Sequence, residues 1–391
     1  MHILEIPSFF PPYGGLFCLD QAKALKSLGY EVRILSNVQL GATIGLRDYF
    51  VQPYLRYEHE MDGVTICQSY QRGLPRVIRY NARRWVGIVC SMFEDYVRKY
   101  GKPDVLHAHC VKWAGYAAML IGRKHHIPYV ITEHLSFHDY AGEFGMPPSD
   151  CWQIPLLKES LRHAACVIPV SKEVVSDLSG FFGIDYRWKA ISNMIDTGFF
   201  SFRQREPLLG RPFRFCCIGI FIERKGYDVL FSAFRQVQAC YLDAELHIVG
   251  RATDSSKCRR MLDDSGVSQG VMLHGEISKS AIRDLLYYSD ALVLATRGET
   301  QGLVLLEALS TGIPAISTEA IPPSVRPSEG CVFVPVDDAE ALADAMKRAM
   351  SGPQPEGLLL SEHVRQFASP EVVGRQLSEL FRSIVSSSSS I

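Results

Sequence analysis

No stretch of this 391-residue sequence is apolar for the length of a membrane-spanning helix, so no transmembrane segment is expected. Nor is there an excess of one charge. Against 41 Lys and Arg stand 42 Asp and Glu, a net charge of -1, which excludes a basic field built for nucleic acid. No CxxC pair occurs among the 11 cysteines, and Cys216 and Cys217 are neighbours in an apolar run. Reduced, mostly buried thiols are therefore expected rather than a zinc site or a disulfide framework. No Asp-x-Asp pair occurs anywhere, so a metal bridging a diphosphate is not suggested. The opening "MHILEIP" already reads as a strand rather than as a leader, and the expectation is a protein kept in the cytoplasm.

What the sequence does have is an ordinary globular composition, 47% hydrophobic and 21% charged, over a length sufficient for two cores. Short β-rich runs alternate with helical patterns throughout, which predicts α/β architecture with parallel sheets covered by helices. In the first half the strands are "HILEI", "EVRILS", "GVTICQS", "DVLHAH", "PYVITEH", "CVIPVS" and "WKAIS"; in the second, "FRFCCIG", "ELHIVG", "VMLHG", "ALVLAT", "PAISTE" and "CVFVPV". The pattern gives two Rossmann-like domains, 1–198 and 213–369, expected to face each other across a cleft. Residues 199–212, broken by charge, Pro and Gly, read as a linker. Residues 370–391 read as a closing helix and a low-complexity, disordered "SSSSS" tail.

Ligands of open parallel sheets bind beyond the carboxyl ends of the strands. Here those ends are polar and rich in Gly: "FFPPYGGLFC" with Gly14 and Gly15, His107 and His109, Glu133 and His134, "ERKG" and "TRGE". The stretch "ATRGETQGLVLLEALSTGIPAIS" carries the most specific signal. Glu307 sits in an otherwise apolar helical run, where a carboxylate is costly unless paired. A structural ion pair is one account; hydrogen bonds to ligand hydroxyls, with Glu299 reaching another part of the ligand, is the favoured one. The amides of Gly302, Leu303 and Val304 at that helix start suit a phosphate. Arg224 and Lys225 stand just before another helix N-terminus, where two cations repel unless an anion lies between them. A solvated surface pair and a diphosphate site weigh evenly there until the two-glutamate segment is added; together they favour the diphosphate.

His107 and His109 share one face of a strand, as metal ligands can, but no nearby carboxylate or cysteine completes such a site in the sequence. His134 is the histidine expected to reach ligand. Asn193 and Asp196 in "SNMID" fit turn chemistry and a hinge role equally. In residues 76–100, Ile78, Trp85, Val89, Met92 and Tyr96 form one stripe at helical spacing, roughly opposite Arg76, Arg79 and Arg83. A core-packed helix with a solvated basic face is the commoner meaning; peripheral contact with the inner face of the cell membrane is the alternative.

Taken together, the Gly14-Gly15 loop, "DVLHAH", "TEH", "SNMID", "ERKG", "HGEISKSAIRDLLYYSDALVL" and the Glu299 to Glu307 motif resemble the retaining glycosyltransferases of family 4, which have the two-domain GT-B fold. The resemblance runs over most of the chain and implies the following. Arg224 and Lys225 hold the diphosphate of a UDP- or GDP-linked sugar, Glu307 its ribose, and Glu299 the transferred sugar. His134 faces that sugar's hydroxyls, and the Gly14-Gly15 loop closes over the phosphates. The reaction is metal-independent transfer of a hexose-type sugar to a hydroxyl of a glycan or lipid-linked acceptor, in polysaccharide biosynthesis, with no cofactor beyond the donor. A GT-B sugar-nucleotide epimerase and a non-catalytic nucleotide-sugar binding protein are the alternatives. Two motifs depart from the family pattern: its Asn-Gly-Val-Asp turn is Asn193-Met194-Ile195-Asp196, and a Gly-Gly loop after "PAISTE" is replaced by "AIPPS".

Overall fold

The computed structural model describes residues 1–11, 14, 16–41, 50, 56–145, 151–205, 210–267 and 269–388. The chain divides into two compact units, Met1–Met194 together with Pro370–Ile391, and Ile195–Ser369.

In the first unit seven strands form one sheet: β1 (His2–Pro7), β2 (Glu31–Leu40), β3 (Tyr57–Met61), β4 (Val64–Arg72), β5 (Val105–His109), β6 (Tyr129–Glu133) and β7 (Cys166–Pro169). Their order is β3-β4-β2-β1-β5-β6-β7. All neighbours are parallel except β3 and β4. Central strands such as β1 and β5 are buried at every position because helices cover both faces of a parallel sheet. β3 is absent from the sequence reading, although the two-residue hairpin turn Asp62-Gly63, both at positive φ, is the turn chemistry that announces it. "WKAIS" is not a strand. It makes a single bridge, Trp188 to Val167, and runs on as irregular chain.

The helix Ile78–Tyr100 turns its stripe inward: Trp85, Val89, Met92 and Tyr96 are buried in the core of this unit. That corrects the membrane-facing alternative for the stripe; only its first member, Ile78, is exposed. Arg76, Arg79 and Arg83 are exposed. The final helix, Pro370–Ser388, also belongs here. Val373, Leu377 and Phe381 are buried against the helix Leu16–Ser27 and its sheet, and the bare backbone of Gly374 admits Ala24. The helix reaches Ser388, so the first serines expected in a disordered tail are helical; residues 389–391 lie outside the described ones.

The second unit carries a six-stranded, all-parallel sheet of β8 (Arg214–Ile218), β9 (Glu245–Val249), β10 (Val271–Leu273), β11 (Ala291–Val293), β12 (Ala315–Thr318) and β13 (Cys331–Val334). The order is β10-β9-β8-β11-β12-β13. This unit begins at Ile195, ahead of the expected boundary at residue 198. The reason is local. Asp196 accepts from the Phe199 amide through its side chain (2.9 Å) and from the Phe200 amide through its carbonyl (2.8 Å), and this turn drives Phe200 into the second core. Residues 199 and 200, expected to open a linker, are thus packed, and Asp196 does the work of a turn.

Beyond the strands, the exits of β8, β9 and β10 are laced together by backbone bonds, Gly219 to the Val249 carbonyl and Gly250 to the Gly275 carbonyl, both 2.8 Å. Gly250, at φ +142°, comes so close that a Cβ there would stand 2.0 Å from the Gly219 oxygen. Gly250→Ala should therefore strain the second unit by about 1–3 kcal/mol. Gly87→Ala, on an exposed helix position with open space around it, should stabilise by about 0.5–1 kcal/mol. Urea titrations followed by circular dichroism should show midpoints moving in opposite directions; a neutral Gly250→Ala would refute the close approach.

Candidate functional site

In the second sheet the strand order reverses between β8 and β11, so the chain leaves these two neighbours toward opposite sides. The exit of β8 runs through a short 3-10 turn, Glu223–Lys225, into the helix Tyr227–Gln238; the exit of β11 runs through residues 294–302 into the helix Leu303–Thr311. The two exits are locked together. Gly226, at φ +63°, passes so close to the other exit that an added Cβ would stand 2.0 Å from the Ala295 carbonyl oxygen. The amide of Arg297 and the hydroxyl of Thr296 both donate to the Arg224 carbonyl, at 2.7 and 3.2 Å. The Arg297 guanidinium then donates to the Glu223 carbonyl (2.7 Å), Asp228 (2.7 Å) and Asp337 (2.6 Å). This fixes the loop that carries Glu299 against the turn that carries Lys225, and the two side chains form an ion pair, 13% and 19% exposed.

Both helices at this point start without a side-chain cap, behind Gly226 and Gly302. An uncapped N-terminus presents amide donors and a positive dipole end, which suit an anion. Leu303 and Glu307, four apart, share a helix face, and Leu303, Val304 and Glu307 are partly buried. Gly302, at φ +81°, lies under Ile321, whose Cδ1 would be 2.7 Å from an added Cβ. Ile321 comes from the "AIPPS" segment, so an apolar side chain packs where the family pattern has a Gly-Gly loop. Arg326 holds that segment through the carbonyls of Ile321 (2.8 Å) and Glu319 (2.6 Å).

The first sheet repeats the reversal between β1 and β5. Register sets Glu5 opposite His107 and Pro7 opposite His109. Side chains two apart point to one face, so Glu5, His107 and His109 converge. One Glu5 oxygen stands 2.8 Å from His107 Nδ1 and 2.7 Å from His109 Nε2, and all three residues are fully buried. Burial alone would raise the Glu5 carboxyl; the two imidazoles outweigh it and hold the group at about 2. Burial, and then the neighbouring His107, press His109 down to about 4. His109 Nδ1 lies 3.3 Å from His134 Nε2. Burial, then His109, lowers His134 as well. Glu133 is a structural hub. It accepts from the amides of Val111 (2.8 Å), His134 and Leu135 (2.9 Å each) and from the Tyr140 hydroxyl (2.8 Å), while burial raises its own pKa.

Of the residues singled out in the sequence, Arg224, Lys225, Glu299, Gly302, Leu303, Val304 and Glu307 thus all lie on the two exits flanking the reversal in the second unit. His134 stands in the first unit, on the exit of β6. Gly14, at φ +105°, is exposed with open space around it; Gly15 lies outside the described residues. Two residues escaped the sequence reading. Glu5 carries the signal that marked Glu307, a carboxylate in an apolar run, but sits inside a strand and not at its end. Arg297 has no signal in isolation, since its partners lie on the exit of β8, at Glu223 and Asp228, and beyond β13, at Asp337.

The buried cluster makes the first unit sensitive to acid. An unfolded histidine protonates near pH 6.5, whereas folded His109 does so only near 4. Between those values the unfolded chain binds more protons, so stability present above pH 6.5 is lost as pH falls toward 4. Glu5, held down from 4.5 to about 2, adds a second loss that begins only below 4.5. Melting temperature should fall between pH 7 and 4.5, and more gently in His109→Asn; identical profiles would exclude the cluster as the cause.

Comparison with known proteins places this geometry. Residues 14–199 match the family model described as Glycosyltransferase Family 4, and residues 212–351 the one described as Glycosyl transferases group 1. The chain is 28% identical over 272 residues to the lipopolysaccharide core biosynthesis glycosyltransferase LpsE of Rhizobium meliloti, covering 68% of this chain and 70% of that one. Sucrose-phosphate synthase from Thermosynechococcus elongatus superposes with a TM-score of 0.78 at 19% identity, over 99% of this chain and 100% of that one. Anabaena HepE in complex with UDP and glucose superposes with a TM-score of 0.70 at 17% identity, over 98% and 100%. With two family models following one another along its length and its fold that of the GT-B enzymes, the chain belongs to glycosyltransferase family 4.

Proposed function

We propose that this glycosyltransferase moves a hexose-type sugar from a UDP- or GDP-linked donor to a hydroxyl of a glycan or lipid-linked acceptor, with retention at the anomeric carbon and without a metal. The observation that carries the reading is the reversal between β8 and β11, where Lys225 meets Glu299 beside two uncapped helix N-termini. A sugar-diphosphate bond breaks with positive charge growing on the sugar and negative charge on the leaving diphosphate. Cations and amide dipoles already fixed in place favour that separation more than they favour the intact donor. Arg224 and Lys225 take the leaving-group charge, with the amides at Gly302, Leu303 and Val304. Glu307 accepts from the ribose hydroxyls and Glu299 from the transferred sugar. The pairing of Glu299 with Lys225 gives these two roles a physical link: the carboxylate that orients the sugar also holds the lysine on station. In the first unit, His134 is assigned to the sugar's hydroxyls and the Gly14-Gly15 loop to the phosphates. The UDP and glucose named with HepE, and the lipopolysaccharide core named for LpsE, support a nucleotide donor and a glycan or lipid-linked acceptor here.

Peripheral membrane contact belongs to the same proposal, but at the beginning of the helix Ile78–Tyr100 and not along its stripe. Leu74, Val77, Ile78 and Tyr80 are 43–60% exposed, among the exposed Arg76, Arg79 and Arg83. Apolar side chains ringed by arginines suit an anionic headgroup layer. The full chain should sediment with phosphatidylglycerol vesicles at low salt, and Val77→Asp with Ile78→Asp should abolish this. Absence of binding by the parent would refute the contact.

For the chemistry, Lys225→Ala should lower turnover of the donor by about a hundred- to a thousandfold, the effect of removing one preorganised electrostatic contact. Glu307→Gln should raise the donor dissociation constant by about an order of magnitude, since a charge-assisted hydrogen bond contributes ~1.5–3 kcal/mol. The parent should keep its activity in excess chelator. Activity lost in chelator and restored by magnesium or manganese would overturn the metal-free mechanism, and unchanged calorimetric affinity in Glu307→Gln would overturn the ribose contact.

A further inference from the structure

Among the described residues, two buried side-chain atoms of the first unit belong to one hydrogen-bonded chain and mark its two ends. Glu5 Oε1 and His134 Nδ1 are both buried without a hydrogen-bond partner within the protein, as is His107 Nδ1 beside the chain. Between them run Glu5 Oε2, His109 Nε2 at 2.7 Å, then His109 Nδ1 and His134 Nε2 at 3.3 Å.

The proton positions along this chain follow from counting donors. An ionised carboxylate only accepts, so His109 brings its proton on Nε2. A neutral imidazole has one N–H, which leaves a lone pair on His109 Nδ1. That lone pair faces His134 Nε2, which must then carry the His134 proton; with the reverse arrangement two lone pairs would face each other. His134 Nδ1 is left as a bare acceptor. His107 stands outside this count: its Nδ1 lies 2.8 Å from Glu5 without the geometry of a hydrogen bond, while its Nε2 pairs with the Thr132 hydroxyl at 2.6 Å. The His134 ring is held in this pose by Phe17 at 3.8 Å between centroids and by stacking on His109 at 5.6 Å and 10°. A metal held by Glu5, His107 and His109 is the competing use of this cluster. The two uses differ at one atom: a metal needs the lone pair of His109 Nε2, whereas the hydrogen bond to Glu5 at 2.7 Å needs a proton there, and the nitrogen spectrum below separates them.

We infer that Glu5 and His109 are positioning residues that fix the tautomer of His134, so that its Nδ1 accepts a hydrogen bond from a hydroxyl of the sugar substrate. The hydroxyl's part rests on the function proposed above; the tautomer does not. A group that only accepts selects a ligand with an O–H at that place over one with a deoxy or methoxy carbon, and it requires no histidine charge.

The test is nitrogen NMR of the full chain labelled with 15N-histidine, with His134→Asn and His109→Asn to assign the rings. His134 in the parent should be protonated at Nε2 and bare at Nδ1. Glu5→Leu, which fills the buried strand position but removes the acceptor, should give a mixed or inverted tautomer at His134. It should also lower kcat about tenfold, while the dissociation constants of UDP and GDP stay unchanged. Glu5→Gln keeps an acceptor oxygen and should restore most of both. A parent His134 protonated at Nδ1 overturns the inference, whether or not Glu5→Leu folds. So does a Glu5→Leu protein whose tautomer and turnover match the parent. A parent that binds neither UDP nor GDP would instead overturn the proposed function, and the tautomer measurement would still decide the role of Glu5.

Discussion

A parallel sheet whose strand order reverses sends the crossovers from its two middle strands to opposite sides, and so leaves their exits uncovered by either. Both units obey this constraint, at β1 and β5 in one and at β8 and β11 in the other. The chemistry-bearing residues collect where the geometry leaves room for them. In the second unit the exits must still be held together, and the protein does so with a glycine at positive φ, Gly226, and with one arginine, Arg297, that reaches both the β8 exit and Asp337. Lys225 and Glu299 face each other because of those ties. In the first unit the exits of β1 and β5 are joined instead by Ser8, whose amide donates to the His109 carbonyl at 3.2 Å and whose single hydroxyl proton lies between the carbonyls of His109 and Lys112, at 2.8 and 2.5 Å from its oxygen.

The two units handle charge differently, for a physical reason. Around Lys225 the groups are half-buried, and opposite charges on neighbouring loops keep each other in place while leaving amide donors at two helix starts. Around Glu5 the groups are fully buried. A buried carboxylate is unfavourable unless its oxygens meet donors, and here His109 on the next strand donates to one of them, with His107 2.8 Å from the same oxygen. The final helix closes this pocket: Phe381 lies edge-on against the His107 ring at 5.1 Å, and Ser378 bonds Tyr30 at 2.6 Å. A segment far along the chain thus completes the core on which the first strand's carboxylate depends.

Much of this was legible in the residues. Alternating short β-rich runs gave the α/β architecture because strand and helix periodicities are local, and polar, Gly-rich strand exits marked where ligand chemistry would gather. The Glu299 to Glu307 segment stood out because a carboxylate inside an apolar helix demands an explanation. Errors arose where local pattern was ambiguous or overlooked. "WKAIS" has strand composition but finds only one bridging partner, and the Asp62-Gly63 hairpin was passed over although its turn chemistry was present. The stripe on the helix Ile78–Tyr100 shows the limit of periodicity: an amphipathic pattern says that one face is covered, not by what.

What the sequence alone determined was the succession of strands and helices, the family, and the types of residue available at each strand exit, since all of these are written in spacing and composition. Which exits become neighbours is a property of strand order, and only the tertiary structure decided it. Lys225 and Glu299, or Glu5, His109 and His134, are far apart along the chain and meet because particular strands pair in a particular register. No local pattern encodes that pairing. The same holds for the helix Pro370–Ser388, which was legible as a closing helix but whose place against the helix Leu16–Ser27 of the first unit only the tertiary structure decided.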